Sequence, residues 1–174
     1  MTESPSGLRV EVLTEDEWPR LKSIRLTALH EAPSAFLNNH KEEETYSELQ
    51  WRQEFLRGQW NIMLSDHKEI GLLGVTSEET VSEHRYYLEY LWVDPDFRRS
   101  GKGSFLLKTV LARLWTSGVR AVWLYILDGN ETAMRFYRRS GFKSTNERVP
   151  LPYHPAGGEE ILKLDLDEPE SSYS

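Results

Sequence analysis

Val93-Asp94-Pro95-Asp96-Phe97-Arg98-Arg99-Ser100-Gly101-Lys102-Gly103-Ser104 joins two unlike segments of this chain. Before it, Tyr86-Tyr87-Leu88-Glu89-Tyr90-Leu91-Trp92-Val93 is apolar and aromatic and reads as a buried strand. After it, Phe105-Leu106-Leu107-Lys108-Thr109-Val110-Leu111-Ala112-Arg113-Leu114-Trp115 carries its apolar residues on one helical face. A basic, glycine-bearing loop between a strand end and a helix start is suited to holding a phosphate. The first amides of a helix have no intrahelical acceptor, and the aligned peptide dipoles put partial positive charge at that end. Gly101 and Gly103 have no side chain to keep an anion away from the backbone. Each amide bond to a charged oxygen contributes about 1.5–3 kcal/mol, so several together outweigh any one neighbouring side chain.

Two common phosphate loops do not fit. Nothing here matches Gly-x-x-x-x-Gly-Lys-Ser/Thr, and the dinucleotide fingerprint needs a third glycine where Leu106 stands. What remains is Arg-x-x-Gly-x-Gly at Arg98, Gly101 and Gly103, preceded by Val-x-Pro at Val93 and Pro95. A second segment follows the same plan. Ala121-Val122-Trp123-Leu124-Tyr125-Ile126-Leu127 reads as a strand, then Asn130 opens a helix over 131–140 closed by Gly141 and Phe142. Its pattern is Asn-x-x-Ala-x-x-x-Tyr-x-x-x-Gly-Phe, with Asn130 also serviceable as an N-cap and Gly141 as a C-terminal stop. In this order and spacing the two segments resemble the cofactor motifs of the GCN5-related N-acetyltransferases (GNAT). The resemblance extends over about residues 8–166 and is motif-specific from about 86 to 142.

The resemblance implies an α/β acyl-CoA N-acyltransferase fold: a mixed, mostly antiparallel sheet flanked by helices, with the fourth and fifth strands (86–93 and 121–127) splayed around the cofactor. It implies transfer of an acetyl group from acetyl-CoA to an amine. Within that frame Arg98, Arg99, Ser100, Gly101, Lys102, Gly103 and Ser104 form the pyrophosphate loop. Leu91 and Val93 supply backbone groups to the pantetheine arm, Asn130 bonds the arm or an ordered water, and Ala133 and Phe136 belong to the cofactor side of the second motif. Tyr137 holds the motif position beside the thioester and is the expected acid for the departing thiolate; a packed aromatic is the alternative. Glu89 lies at even spacing from Leu91 and Val93, on the strand face leading to the cofactor, and is the expected base. A carboxylate in so apolar a strand needs either such a role or a partner, so an ion pair with an arginine is the rival reading.

Composition narrows the chemistry. The chain has 174 residues, no cysteine and a formal charge of −7, with 39% apolar residues including six Trp and eight Tyr. One domain over 8–166 is expected, with disordered tails at 1–7 and 167–174. The absence of cysteine excludes disulfides, thiolate metal sites and an acyl-cysteine intermediate, so direct attack in a ternary complex is the expected route. The five histidines are scattered without ligand spacing, and no metal is expected. The acidity argues against nucleic acid or an anionic membrane as partner and suits a cationic acceptor. The polar start has no targeting core and no apolar run nears spanning length, so a cytoplasmic location is the default expectation. Aromatic-rich segments are compatible with a homodimer.

The expected acceptor is the primary amine of a small, cationic molecule; acetylation of protein lysines or N-termini, or a non-catalytic acetyl-CoA binder, are the alternatives. Element signals give the order β-α-α-β-β-β-α-β-α-β-β. Thr14–Glu17 has the form of a capping box ahead of a helix to about Leu29, ended by Pro33; Thr45–Glu48 repeats the pattern before a helix carrying Trp51 and Phe55. Strands are expected at 61–64, 70–76, 143–149 and 160–166. By the resemblance, the helix-loop-helix region lines the acceptor site, which makes Phe36, Asn38, Tyr46, Trp51 and Phe55 candidates there.

Overall fold

The computed structural model describes residues 7–168. Most of both expected tails lies outside the described residues. The chain divides into two compact units, one of residues 7–77 with Leu88–Leu107, the other of Glu78–Tyr87 with the chain from Lys108 onward.

The first unit begins with β1 (Leu8–Val12), whose alternating burial matches its alternating sequence. The capping box forms as expected, with the Thr14 amide donating to Glu17 at 2.9 Å. What it opens is one 3-10 turn, Glu15–Glu17; α1 (Trp18–Glu31) starts behind it with Pro19 in the first turn and runs two residues beyond the expected end. A short helix the sequence reading missed, α2 (His40–Glu43), is capped by Asn39, which accepts from the Lys41 amide. The next cap is Ser47 rather than Thr45. Ser47 is extended and trades hydrogen bonds with Gln50 to open α3 (Glu48–Arg57), whereas the Thr45 hydroxyl donates to the Glu42 carbonyl at 2.7 Å and closes α2.

Two long strands follow, β2 (Gly58–Ser65) and β3 (Lys68–Glu79), paired antiparallel across a two-residue turn; β1 pairs with the other edge of β2, Leu8↔Ser65 through Val12↔Asn61. Both are longer than the expected 61–64 and 70–76: their mutual pairing alone runs from Gly58↔Thr76 to Ser65↔Lys68. Leu21, Ile24, Ala28, Trp51, Trp60, Ile62, Leu72 and Trp92 pack into one core. Gly74 is part of that packing: a Cβ there would lie 2.6 Å from the Trp60 ring. Each buried indole removes roughly 200 Å² from water, an upper estimate of about 5 kcal/mol before ordering entropy is subtracted.

The fourth strand, β4 (His84–Val93), contributes 84–87 to the second unit and 88–93 to the first. It leads through a 3-10 turn, Pro95–Phe97, to α4 (Lys102–Thr116). In the second unit β5 (Ala121–Leu127) has its expected bounds and is followed by α5 (Glu131–Arg139), β6 (Lys143–Pro150) and β7 (Gly158–Asp165). β5 pairs antiparallel with β7 over its whole length, β6 pairs antiparallel with β7, and β4 pairs parallel with β5 at Tyr87↔Trp123. Tyr87, Trp123 and Ile161 form the small core there, with Ala121 and Val149 against it. Strand order is β1-β2-β3-β4-β5-β7-β6, the mixed seven-stranded sheet with flanking helices that the sequence led one to expect.

Candidate active site

The loop between β4 and α4 is built by its own backbone. Asp94 accepts from the Asp96 amide and from Lys68, and its amide donates to the Ile70 carbonyl at 2.8 Å, which fixes the stem. Arg99 (φ 61°) and Gly101 (φ 77°) are both left-handed, so the chain coils tightly before the helix. At Gly101 this conformation favours glycine, although a Cβ would meet open space. The first bond of α4 runs from the Phe105 amide to the Gly101 carbonyl at 2.9 Å. The amides of Lys102, Gly103 and Ser104 therefore precede the helical ladder, and no backbone acceptor among the described residues takes them. The ammonium groups of Lys102 and Lys68 lie 5.8 and 4.9 Å from the centre of the Phe97 ring.

Arg98 has a different job from its neighbours. Its guanidinium donates to the Val93 carbonyl at 2.7 Å and to Glu31 at 2.6 Å, so the side chain braces the loop against the strand end and α1. The Glu31 carboxylate also accepts from Trp92 Nε1. Burial of Glu31 would raise its pKa, but the hydrogen bonds from Arg98 and Trp92 outweigh that and hold it below the usual carboxylate value.

Glu89 is half-buried on β4 and accepts from the Thr76 hydroxyl at 3.1 Å. Among the described residues no arginine or lysine comes within ion-pair distance of it, so the rival reading as a salt-bridged carboxylate has no partner here. Leu91 is half-buried and Val93 buried. Tyr90, between Glu89 and Leu91, has φ 56°, a left-handed aromatic residue inside a strand.

The Tyr90 side chain meets a cluster that the sequence did not reveal. Arg25 on α1 is fully buried and donates to Glu43 at 2.6 Å, Glu54 at 2.7 Å and the Tyr90 hydroxyl at 3.1 Å. Its guanidinium lies over the Tyr90, Trp60 and Trp51 rings at 4.4, 5.1 and 5.5 Å. Phe36 stacks on Tyr90 at 5.4 Å and Asn38 donates to Glu43 at 2.8 Å, while Trp51 is core and Tyr46 and Phe55 pack against it. An arginine seven residues after Trp18, amid helical apolar spacing, reads as one exposed cation, which is why Arg25 gave no signal.

In the second unit Asn130 caps α5 by accepting from the Ala133 amide at 3.2 Å. The helix ends in paired closing bonds, from the Phe142 amide to the Tyr137 carbonyl and from the Gly141 amide to the Arg138 carbonyl. Ala133, Phe136 and Tyr137 are half-buried on the helix, and Tyr137 is set edge-on to both Phe136 and Phe142. Burial pushes the Tyr137 phenol up, and its hydroxyl makes no hydrogen bond to the described residues. Also unanticipated is a stacked pair, Tyr87 and Tyr125, with ring centres 5.3 Å apart. Burial raises the Tyr125 pKa, and the hydrogen bond with Tyr87 and the nearby Glu78 and Glu159 charges raise it further. The first unit thus gathers Glu89, Leu91, Val93 and Arg98 through Ser104, and the second gathers Asn130, Ala133, Phe136 and Tyr137. Among the described residues no group of three or more His, Asp or Glu is placed to hold a metal ion, and no helix is long and apolar enough to cross a membrane.

A sequence profile of the Acetyltransferase (GNAT) family matches residues 25–142. The ribosomal protein bS18-alanine N-acetyltransferase of Salmonella typhimurium is 39% identical over 76 residues, 42% of this chain and 50% of that protein. The chain therefore spans about half the length of this curated relative. Among solved structures, Arabidopsis thaliana Naa50 in complex with a bisubstrate analogue superposes with a TM-score of 0.69 at 17% identity, covering 92% of this chain and 99% of that one. The yncA protein of Salmonella typhimurium, solved with its cofactor acetyl-CoA, gives 0.70 at 16% identity, covering 97% and 99%. At such identities these structures speak to the fold.

Proposed function

Because the chain belongs to the acetyltransferase (GNAT) family, we propose that it moves an acetyl group from acetyl-CoA to the primary amine of a small, cationic acceptor by direct attack in a ternary complex. The observation that carries this reading is the run of uncommitted amides at Lys102, Gly103 and Ser104, set behind the left-handed Arg99 and Gly101 at the start of a 15-residue helix. Those donors fit a diphosphate, and the cationic side chains around Phe97 add to the local positive field. Acetyl-CoA, when bound, supplies an acetyl group activated as a thioester.

The protein's own groups meet three chemical needs in this reading. An alkylamine is protonated at neutral pH, with a pKa of about 10.4, so a base must take its proton before attack. Glu89, without a counter-cation among the described residues and held by Thr76, is the group assigned to that task, directly or through water. The Leu91 backbone amide, next to the turned peptide at Tyr90, is assigned to the carbonyl oxygen as negative charge builds on it. Tyr137, kept protonated by burial and with its hydroxyl uncommitted, is assigned as the acid for the departing thiolate. Asn130, Ala133 and Phe136 complete the cofactor side in the second unit. Arg98 contributes by bracing, since its guanidinium is engaged by Glu31 and Val93.

The acceptor reading rests on charge: −7 overall, with Glu42, Glu44 and Glu48 exposed close together in the chain. A second reading, acetylation of a protein α-amine, is favoured by the likeness of part of the chain to the bS18-alanine acetyltransferase. A thiol-release screen over polyamines, amino sugars, amino acids and short peptides tests both. Turnover with small cationic amines supports the first reading, turnover with peptides alone replaces it by the second, and none with any amine contradicts both.

A further inference from the structure

The Tyr90 backbone is costly. A non-glycine residue held left-handed inside a strand is strained and persists only where its surroundings over-determine it. Here they do. The ring is stacked by Phe36, tilted against Trp60 and covered by the Arg25 guanidinium, and its hydroxyl is held by Arg25 at 3.1 Å and Glu43 at 3.3 Å.

Arg25 is the hub of that arrangement. It sits on α1 and reaches Glu43 on α2, Glu54 on α3 and Tyr90 on β4. Three helices and a strand are tied through one fully buried guanidinium. Such a network is a poor device for stability alone, because desolvating one cation and two carboxylates offsets most of their attraction, and an apolar set of equal volume would serve as well. The cost is visible: Arg25 Nε and one oxygen of Glu43 are buried without a protein partner among the described residues. What the network does specify is geometry. The residues that flank the turned peptide are Glu89 and Leu91, the base and the carbonyl-binding amide of the reading above.

We propose that Arg25, acting through Tyr90, is a positioning residue for acetyl transfer: it holds the left-handed turn in β4 that aims the Leu91 amide and the Glu89 carboxylate. This rests on the acetyltransferase reading. The prediction is that Arg25→Lys, which keeps the buried charge but cannot fork between two carboxylates and a phenol, lowers kcat by about tenfold or more. Acetyl-CoA affinity, set by the Lys102–Ser104 amides, stays within about twofold. Tyr90→Phe, which keeps the ring and loses the two hydroxyl contacts, gives a smaller loss in the same direction and covers the case in which Arg25→Lys does not fold.

The readout is steady-state kinetics on full-length protein, together with isotope-edited infrared spectra of bound acetyl-CoA labelled at the carbonyl carbon. For the unaltered protein the proposal predicts a carbonyl stretch shifted from its value in water. Loss of that shift in the variants, with cofactor affinity retained, is the expected result. An unchanged shift and a kcat within about twofold in folded Tyr90→Phe would remove Arg25 from catalysis while leaving the functional reading intact. Failure of the unaltered protein to bind acetyl-CoA at all would overturn both.

Discussion

Tyr137 and Glu31 depart from their ordinary ionisation in opposite directions, and each shift has a consequence. Burial keeps the Tyr137 phenol protonated well past neutrality, the state an acid needs. Tyr137→Phe should lower kcat by about 10²-fold with little change in the acetyl-CoA dissociation constant, measured by thiol release and calorimetry. Equal turnover would leave Tyr137 as packing. For Glu31 the folded value lies below the ordinary 4.5, so its contribution to stability is complete above that pH and is lost as pH falls through the lowered value. The thermal midpoint should therefore hold through neutral pH and drop in acid. Glu31→Gln should flatten part of the drop and, by loosening Arg98, weaken acetyl-CoA binding several-fold. A variant whose acid profile and affinity match the unaltered protein would contradict the brace.

At the scale of elements, close packing and local geometry separate into testable parts. Gly74→Ala drives a methyl into the Trp60 ring, which is 1% exposed and has nowhere to go. It should cost about 1–3 kcal/mol in chemical denaturation while leaving acetyl-CoA affinity unchanged in the folded fraction. A neutral substitution would mean that the ring shifts freely. The tight coil of the loop between β4 and α4 and the α5 cap were legible in sequence because both depend on neighbours within a few residues: Gly101 for its backbone, Asn130 for the Ala133 amide, Gly141 for the helix end. β5 was legible for the same reason, being a continuous apolar run with clear ends. Arg25 was not, since its partners lie 18, 29 and 65 residues away. The true cap of α3 was missed because Thr45 and Ser47 present the same hydroxyl chemistry, and only the backbone decides between them. The turn at Tyr90 left no mark either, for tyrosine is an ordinary strand residue.

Across the whole molecule, a chain of net charge −7 concentrates Arg98, Arg99 and Lys102 at one loop and Arg135, Arg138 and Arg139 on one helix. That is the pattern expected of an acidic protein with an anionic cofactor and a cationic acceptor. Binding linked to folding should make acetyl-CoA a stabiliser: at a hundred times its dissociation constant it adds about 2.7 kcal/mol, or roughly 5–10 °C in thermal midpoint for a chain of this size. The most direct test is calorimetric titration of acetyl-CoA into the unaltered protein and into Gly103→Val, with circular dichroism to confirm the fold. Saturable binding to the first and none to the folded second is the expected result; equal affinity in both would contradict the backbone cradle.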